Sequence, residues 1–217
     1  MGLISGLYEW KLKNAIENQA VPKHIVLALA ESDLLADSNY GKLKSFVSWC
    51  NETGICTVTI HVNIIDVDAE LSDNICNKLA FEIPSVLSSI TGNINVITRW
   101  NKEIKKDERE GMRLDISLGY SGKYELTHAI REIMEKIESG EMVPEDIDEK
   151  AIESHLLFQC EPDLVIRAGG KRLTDFLIWQ SVYSELYFTD VNWLDLRKVD
   201  FLRAIRDFQK RQRRFGK

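Results

Sequence analysis

The chain is poor in residues that staple or anchor a protein. Its 217 residues include only four cysteines, Cys50, Cys56, Cys76 and Cys160, and no two form a Cys-x-x-Cys pair. This argues against a disulfide framework or a zinc cluster and for buried thiols in a reducing cytosol. The four histidines, His24, His61, His128 and His155, are equally scattered and share no metal-ligand spacing. No run of about eighteen apolar residues occurs, so no segment reads as a membrane-spanning helix. Nor does Met1–Lys11 read as a signal peptide, because Glu9 and Trp10 interrupt the apolar stretch such a leader needs. Positive charge is in deficit, with 28 Lys+Arg against 34 Asp+Glu and a formal net charge of −6. A general nucleic-acid binder is therefore not expected, since neutralising phosphates takes a broad cationic surface. Repeats, low-complexity tracts and linkers are also lacking. The expectation is one domain spanning residues 1–217 of a soluble, cytoplasmic protein.

What the chain does have is an apolar fraction of 44% beside 29% charged residues. At this length a domain buries ~70–75% of its unfolded-chain surface, so the core needs no staple. Short β-branched runs predict strands at His24–Ala30, Ile55–His61, Ile94–Thr98, Arg113–Leu118 and Asp163–Arg167. Between them, apolar residues recur at helical spacing. Leu43, Phe46 and Val47 mark one helix, ended at Asn51–Gly54, and Leu126, Ile130, Ile133, Met134 and Ile137 mark another. Phe201, Leu202, Ile205 and Phe208 mark a last one, and a further helix is expected through Trp179 to Tyr187. The charged stretch Asn101–Gly111 reads as a solvated loop. Strands alternating with helices define an α/β fold with a mainly parallel sheet flanked by helices.

Ligands of such sheets bind beyond the carboxyl ends of the strands. The fifth predicted strand runs into Arg167-Ala168-Gly169-Gly170-Lys171-Arg172-Leu173-Thr174. Two glycines let backbone amides approach an anion, three cations supply charge, and Thr174 can cap a helix or donate to a phosphate. An ordinary glycine turn with solvated cations is the plainer alternative. A second concentration closes the chain: seven cations lie between Arg203 and Lys217, ending in Arg214-Phe215-Gly216-Lys217. Such a tail is either solvated or wraps an anion, with Arg214 making bidentate contact. The first strand ends in Leu29-Ala30-Glu31-Ser32-Asp33 without a glycine-rich phosphate loop. Glu31 and Asp33 read as helix-capping or flanking acids, with metal binding as the alternative. The aromatic-rich segment Tyr183, Leu186, Tyr187 and Phe188 suits packing against a partner subunit.

These motifs resemble the cis-prenyltransferase family, the undecaprenyl and dehydrodolichyl diphosphate synthases. The likeness is strongest from Pro144 onward, in Cys160–Arg167, Gly169–Phe176, Trp179-Gln180, Tyr183–Asp190 and the closing Arg-Phe-Gly. Leu114–Gly122 resembles the family's central strand and turn, and Pro22-Lys23-His24 with Val47–Gly54 its opening. The resemblance implies a sheet flanked by helices, a dimer, and extension of an allylic diphosphate with isopentenyl diphosphate. It implies that Arg167, Arg172 and Thr174 hold the isopentenyl diphosphate and that Glu185 helps hold Mg²⁺ across the dimer. Arg214 and Gly216 would close over the partner subunit's substrate.

The departures from the pattern matter as much. Where the family's first strand runs into Met-Asp-Gly-Asn-x-Arg, this chain has Ala30, Glu31 and Ser32. Val62–Ile65 replaces the family's Phe-Ser-x-Glu-Asn segment, and Lys171 stands near the acid of its Arg-x-x-Gly-Glu-x-Arg turn. Without the strand-end aspartate, the pyrophosphate charge that grows on ionisation lacks its Mg²⁺ anchor. The expectation is therefore an accessory subunit, similar to the non-catalytic Nogo-B receptor. It would pair in a heterodimer or heterotetramer with a catalytic subunit that makes polyprenyl diphosphate, and lend it the Arg-Phe-Gly tail. Mg²⁺ would sit chiefly at the partner's site, and the lipid product would bring the complex to a membrane surface. The alternatives are a self-sufficient homodimer using Glu31 or Asp33 as a replacement metal ligand, and a non-enzymatic isoprenoid-diphosphate binding module.

Overall fold

The strand β1 (His24–Ala30) is apolar at every position after the first because both of its faces are covered. Ile25, Leu27 and Leu29 point into the larger apolar cluster, while Val26 and Ala28 point into a smaller one on the other side. A computed structural model describes residues 3–17, 19–64, 68–91, 93–98, 104–106, 111–159, 161–170 and 177–211. In it β1 lies between β2 (Thr57–Asn63) and β6 (Leu164–Ala168), parallel to both. Outward from β2 come β5 (Arg113–Leu118), β3 (Asn93–Thr98) and β4 (Ile104–Lys106); outward from β6 comes β7 (Glu185–Thr189). Six strands are parallel, and β4 alone pairs antiparallel, with β3. This is the mainly parallel α/β sheet that the sequence predicts.

Helices cover both faces. α1 (Leu3–Glu17), α3 (Gly41–Glu52), α4 (Ala69–Leu87) and α7 (Lys198–Lys210) contribute to the larger cluster. Its aromatic centre stacks Phe46 edge-on against Trp193 and Phe201, at ring separations of 6.0 and 5.5 Å. The smaller cluster joins Tyr120 and Phe158, 5.6 Å apart, to Val26, Val165 and Leu177. α5 (Gly122–Glu138) starts beside Tyr120, capped by Ser121, whose hydroxyl accepts the Tyr124 amide at 3.2 Å. α2 (Glu31–Leu35) and α6 (Glu149–Ser154) are short connectors. Two buried histidines are hydrogen-bonded across the sheet: His24 Nε2 lies 2.9 Å from Thr59 Oγ1, and His61 Nδ1 3.1 Å from Ser117 Oγ. Burial holds the His24 pKa below its ordinary value, against the pull of Asp115 and Asp163, so it packs as a neutral ring.

Three expectations are corrected. The helix predicted through Trp179 to Tyr187 is instead a series of turns followed by β7, an edge strand whose residues are half-buried or exposed. Part of the supposed loop Asn101–Gly111 is β4. Cys56 is exposed, whereas Cys50 and Cys76 are buried thiols as expected; Cys160 lies outside the described residues. Among the described residues no helix is long and apolar enough to cross a membrane.

Candidate functional site

The carboxyl edge of the sheet is where β1 and β6 present their last residues side by side. Ala28 of β1 is in register with Arg167 of β6, one residue before that strand's end. Arg167 Nη1 donates to the Ala28 carbonyl at 3.0 Å. Its Nε is buried and has no hydrogen-bond partner among the described residues. The chain then turns through Gly169, whose φ of +69° favours glycine, and Gly170. A Cβ on Gly170 would lie 3.4 Å from Arg167 Nε and 3.7 Å from Nη2, so the bare glycine keeps the guanidinium face open. A strongly basic fork with an unused donor, beside a glycine turn at this edge, suits an oxyanion.

Beyond β1 the backbone enters α2 directly, and the third helical residue, Asp33, folds back. Its Oδ2 accepts the Ala30 amide at 2.9 Å and lies 3.8 Å from Arg167 Nη1. The strand end that carries alanine in sequence thus has a carboxylate in space. Asp33 fulfils the capping reading and meets the candidate anion-binding arginine as well. Asp37 is otherwise engaged: it accepts the amides of Gly41, Lys42 and Leu43 at the start of α3.

Apart from this turn, a buried clamp ties the start of α5 to two later segments of the chain. Glu125, in the first turn of α5, accepts the Phe158 amide at 3.2 Å and the Gln180 amide nitrogen at 3.0 Å. Gln180 also donates to the Phe158 carbonyl at 2.7 Å. Burial raises the Glu125 pKa, and the hydrogen bonds from Gln180, Phe158 and Tyr120 offset this only in part.

The predicted site residues divide. Arg167 is at the edge. Glu185 is not beside it: it opens β7 at the other end of the register, opposite Leu164. Three residues along a strand is about 10 Å, and strand alternation turns Glu185 to the opposite face of the sheet. Its carboxylate accepts Arg211 Nη1 at 2.9 Å. Arg172, Thr174, Arg214 and Gly216 lie outside the described residues. Sequence reasoning named Asp33 only as one of two acids; the signal was its spacing of three from the strand's last residue, the separation of a capping box.

Among the described residues no three His, Cys, Asp or Glu side chains gather to cage a metal. Magnesium does not require that. It keeps several waters and is held by one or two carboxylates together with substrate phosphates. A single carboxylate, Asp33, beside an arginine suited to diphosphate fits such an ion.

Fold and site together define a parallel α/β protein with an arginine suited to an oxyanion and a carboxylate side by side at the carboxyl edge of its sheet. The prenyltransferase family model for undecaprenyl diphosphate synthase matches residues 63–216, and the chain belongs to this cis-prenyltransferase family. It is 36% identical to a tritrans,polycis-undecaprenyl-diphosphate synthase (geranylgeranyl-diphosphate specific) of Methanocaldococcus jannaschii, over 97% of this chain and 88% of that one. A synthase of the same name from Picrophilus torridus is 34% identical, over 98% and 97%. In fold the chain is similar to lavandulyl diphosphate synthase of Lavandula x intermedia, with a TM-score of 0.72, 24% identity, and coverage of 91% of this chain and 99% of that one.

These relatives overturn the expectation of a catalytic partner subunit in a heteromeric complex. Proteins that align with nearly the whole chain bear synthase names of their own. The physical reason for the error is visible at β1. The expectation rested on Ala30 leaving the strand end without a carboxylate, and Asp33 brings one back to it.

Proposed function

We propose that this chain is itself a cis-prenyl diphosphate synthase, acting as a homodimer. It would extend an allylic diphosphate with isopentenyl diphosphate and release pyrophosphate. The observation that carries this reading is the Asp33 carboxylate seated at the end of β1, beside the arginine that faces the glycine turn. The π electrons of isopentenyl diphosphate form the new carbon–carbon bond as the allylic carbon–oxygen bond breaks. A proton is then lost from the extended chain, and pyrophosphate leaves with the electron pair of the broken bond. Arg167 holds diphosphate oxygens in a fork geometry, helped by its unused Nε–H, and Asp33 is the residue to hold Mg²⁺ against them. When bound, Mg²⁺ neutralises the negative charge growing on the leaving group.

The second copy is supported by α5. Ile130 and Met134 are 55% and 51% exposed, and Leu126 and Ile137 continue the same stripe half-buried. An apolar stripe of this kind on a helix otherwise covered in charge suits a subunit interface. Glu185 cannot reach Arg167 within one chain, so its metal role, like the closing role of Arg214 and Gly216, would be exerted on the other copy's site. Arg172 and Thr174 would join Arg167 on the isopentenyl diphosphate.

The test is turnover by the purified chain alone. Labelled isopentenyl diphosphate and geranylgeranyl diphosphate, the allylic substrate in the relatives' names, are supplied with Mg²⁺. Incorporation into longer prenyl diphosphates without any added protein is expected. No incorporation with this or shorter allylic diphosphates would refute the reading.

A further inference from the structure

The arginine that would receive a diphosphate already has an anion beside it. Arg167 Nη1 lies 3.8 Å from Asp33 Oδ2, and the two side chains are only 20% and 27% exposed. A pair so far out of bulk water is screened less than one on the surface. Both charges are also tied to the backbone of one strand. Asp33 Oδ2 accepts the Ala30 amide, and Arg167 Nη1 donates to the Ala28 carbonyl, two residues earlier. Neither can swing away without giving up a hydrogen bond.

We propose that Asp33 and Arg167 form a charge lock that makes binding of a diphosphate group and of a divalent cation mutually dependent. The inference rests on the reading of this edge as a diphosphate site. A diphosphate arriving alone meets Arg167 but also the Asp33 carboxylate, which repels it. A divalent cation arriving alone meets Asp33 but also the guanidinium. When both arrive, diphosphate oxygens take Arg167, the cation takes Asp33, and each ligand removes the repulsion felt by the other. By linkage the effect is reciprocal. The lock discriminates against metal-free phosphates, and it lets pyrophosphate leave together with its cation.

Calorimetric titration with inorganic pyrophosphate, in EDTA and in Mg²⁺, tests the lock without reading turnover. Magnesium binds pyrophosphate in solution too, but equally for every variant, so comparison isolates the protein's share. Asp33→Asn keeps an acceptor for the Ala30 amide and loses the charge. It is expected to bind pyrophosphate in EDTA at least about three- to tenfold tighter than the unmodified chain, the effect of removing a unit charge about 4 Å away even under the full screening of bulk water. Its gain on adding Mg²⁺ should disappear, whereas the unmodified chain should gain about 5–150-fold, the usual range of such couplings. Arg167→Gln, a second variant, should bind Mn²⁺ without pyrophosphate more tightly than the unmodified chain, read by electron paramagnetic resonance. The lock is refuted if Asp33→Asn binds metal-free pyrophosphate no tighter or keeps the Mg²⁺ gain. It is equally refuted if Arg167→Gln leaves Mn²⁺ affinity unchanged, or if Glu31→Gln rather than Asp33→Asn abolishes the gain. Because no step reads catalysis, an inactive chain with a working lock and an active chain without one remain distinct results.

Discussion

Single residues carry two of the consequences that can be measured. Gly169 sits at φ +69°, and an added Cβ would also meet Asn192 Oδ1 at 3.4 Å. Forcing a side chain into the left-handed region costs about 1–2 kcal/mol. Gly169→Ala should therefore lower the melting temperature by roughly 2–8 °C for a chain of this size, which a thermal melt by circular dichroism checks. Glu125 acts through pH. Burial raises its folded-state pKa above the ordinary 4.5, so the folded chain holds its proton more tightly than the unfolded chain does. From about pH 4.5 upward the folded state binds more protons than the unfolded state, so the Glu125 contribution to stability falls until pH passes the folded value. Glu125→Gln removes that slope. The melting temperature of the variant relative to the unmodified chain should then be higher at pH 7.5 than at pH 4.5. An equal difference at the two pH values would show that Glu125 does not titrate in this way.

At the scale of elements, α7 depends on its first turn. Asp200 accepts the Arg197 amide at 3.2 Å and bonds the side chains of Arg197 and Arg203 at 3.0 and 2.9 Å. Burial works to raise the Asp200 pKa, but the bonds from Arg197 and the charge of Arg203 prevail and hold it below the ordinary value. Its contribution is present above the unfolded value and is lost as pH falls through the folded one. Asp200→Ala should cost about 1–2 kcal/mol at neutral pH, as for a lost helix cap. Urea denaturation at pH 7 and again at acid pH should show that cost shrinking as pH falls.

The elements also show what a linear reading can and cannot find. β1 and β5 are legible to the residue: β1 is apolar after its first position because both faces are covered, and β5 alternates apolar Leu114, Ile116 and Leu118 with polar residues at the period of a strand. β7 is not. As an edge strand with half-buried residues it has neither an apolar run nor clean alternation, and its aromatics suggested a helix end. β4, three residues in a charged run, carries no pattern of its own and forms only by pairing with β3. α1 escaped notice because Leu7 and Trp10 are exposed while Leu12 and Ile16 are buried, which blurs its apolar stripe. At the candidate site, Arg167 and its glycine turn were visible as a motif. Asp33 was not separable from Glu31, because alignment compares positions along the chain. Only the turn into α2 shows that the carboxylate of one residue stands at the backbone of another three places earlier.

For the whole molecule, the question is how Arg167 and Glu185, at opposite ends of the register, would serve one site in the proposed enzyme. Arg167 faces the carboxyl edge on one face, and Glu185 opens β7 toward the other. No rearrangement within the sheet unites them, because moving β7 by three residues against β6 would break the whole ladder from Leu164↔Glu185 to Ala168↔Thr189. A second copy is the route that leaves the fold intact, and the exposed Ile130 and Met134 on α5 supply an apolar surface for it. Ile130→Asp combined with Met134→Glu puts two charges into that stripe without touching the core, since both side chains are more than half exposed. Removing a charge from water without a partner is costly enough to dissociate an interface. Light scattering after gel filtration should give two copies for the unmodified chain and one for the double variant. The variant's melting temperature should stay within a few degrees of that of an equally dilute unmodified sample. Its prenyl transfer should fall at least tenfold and recover as protein concentration is raised. A double variant that remains dimeric, or a monomer that keeps full turnover, would remove α5 from the interface and Glu185 from the chemistry.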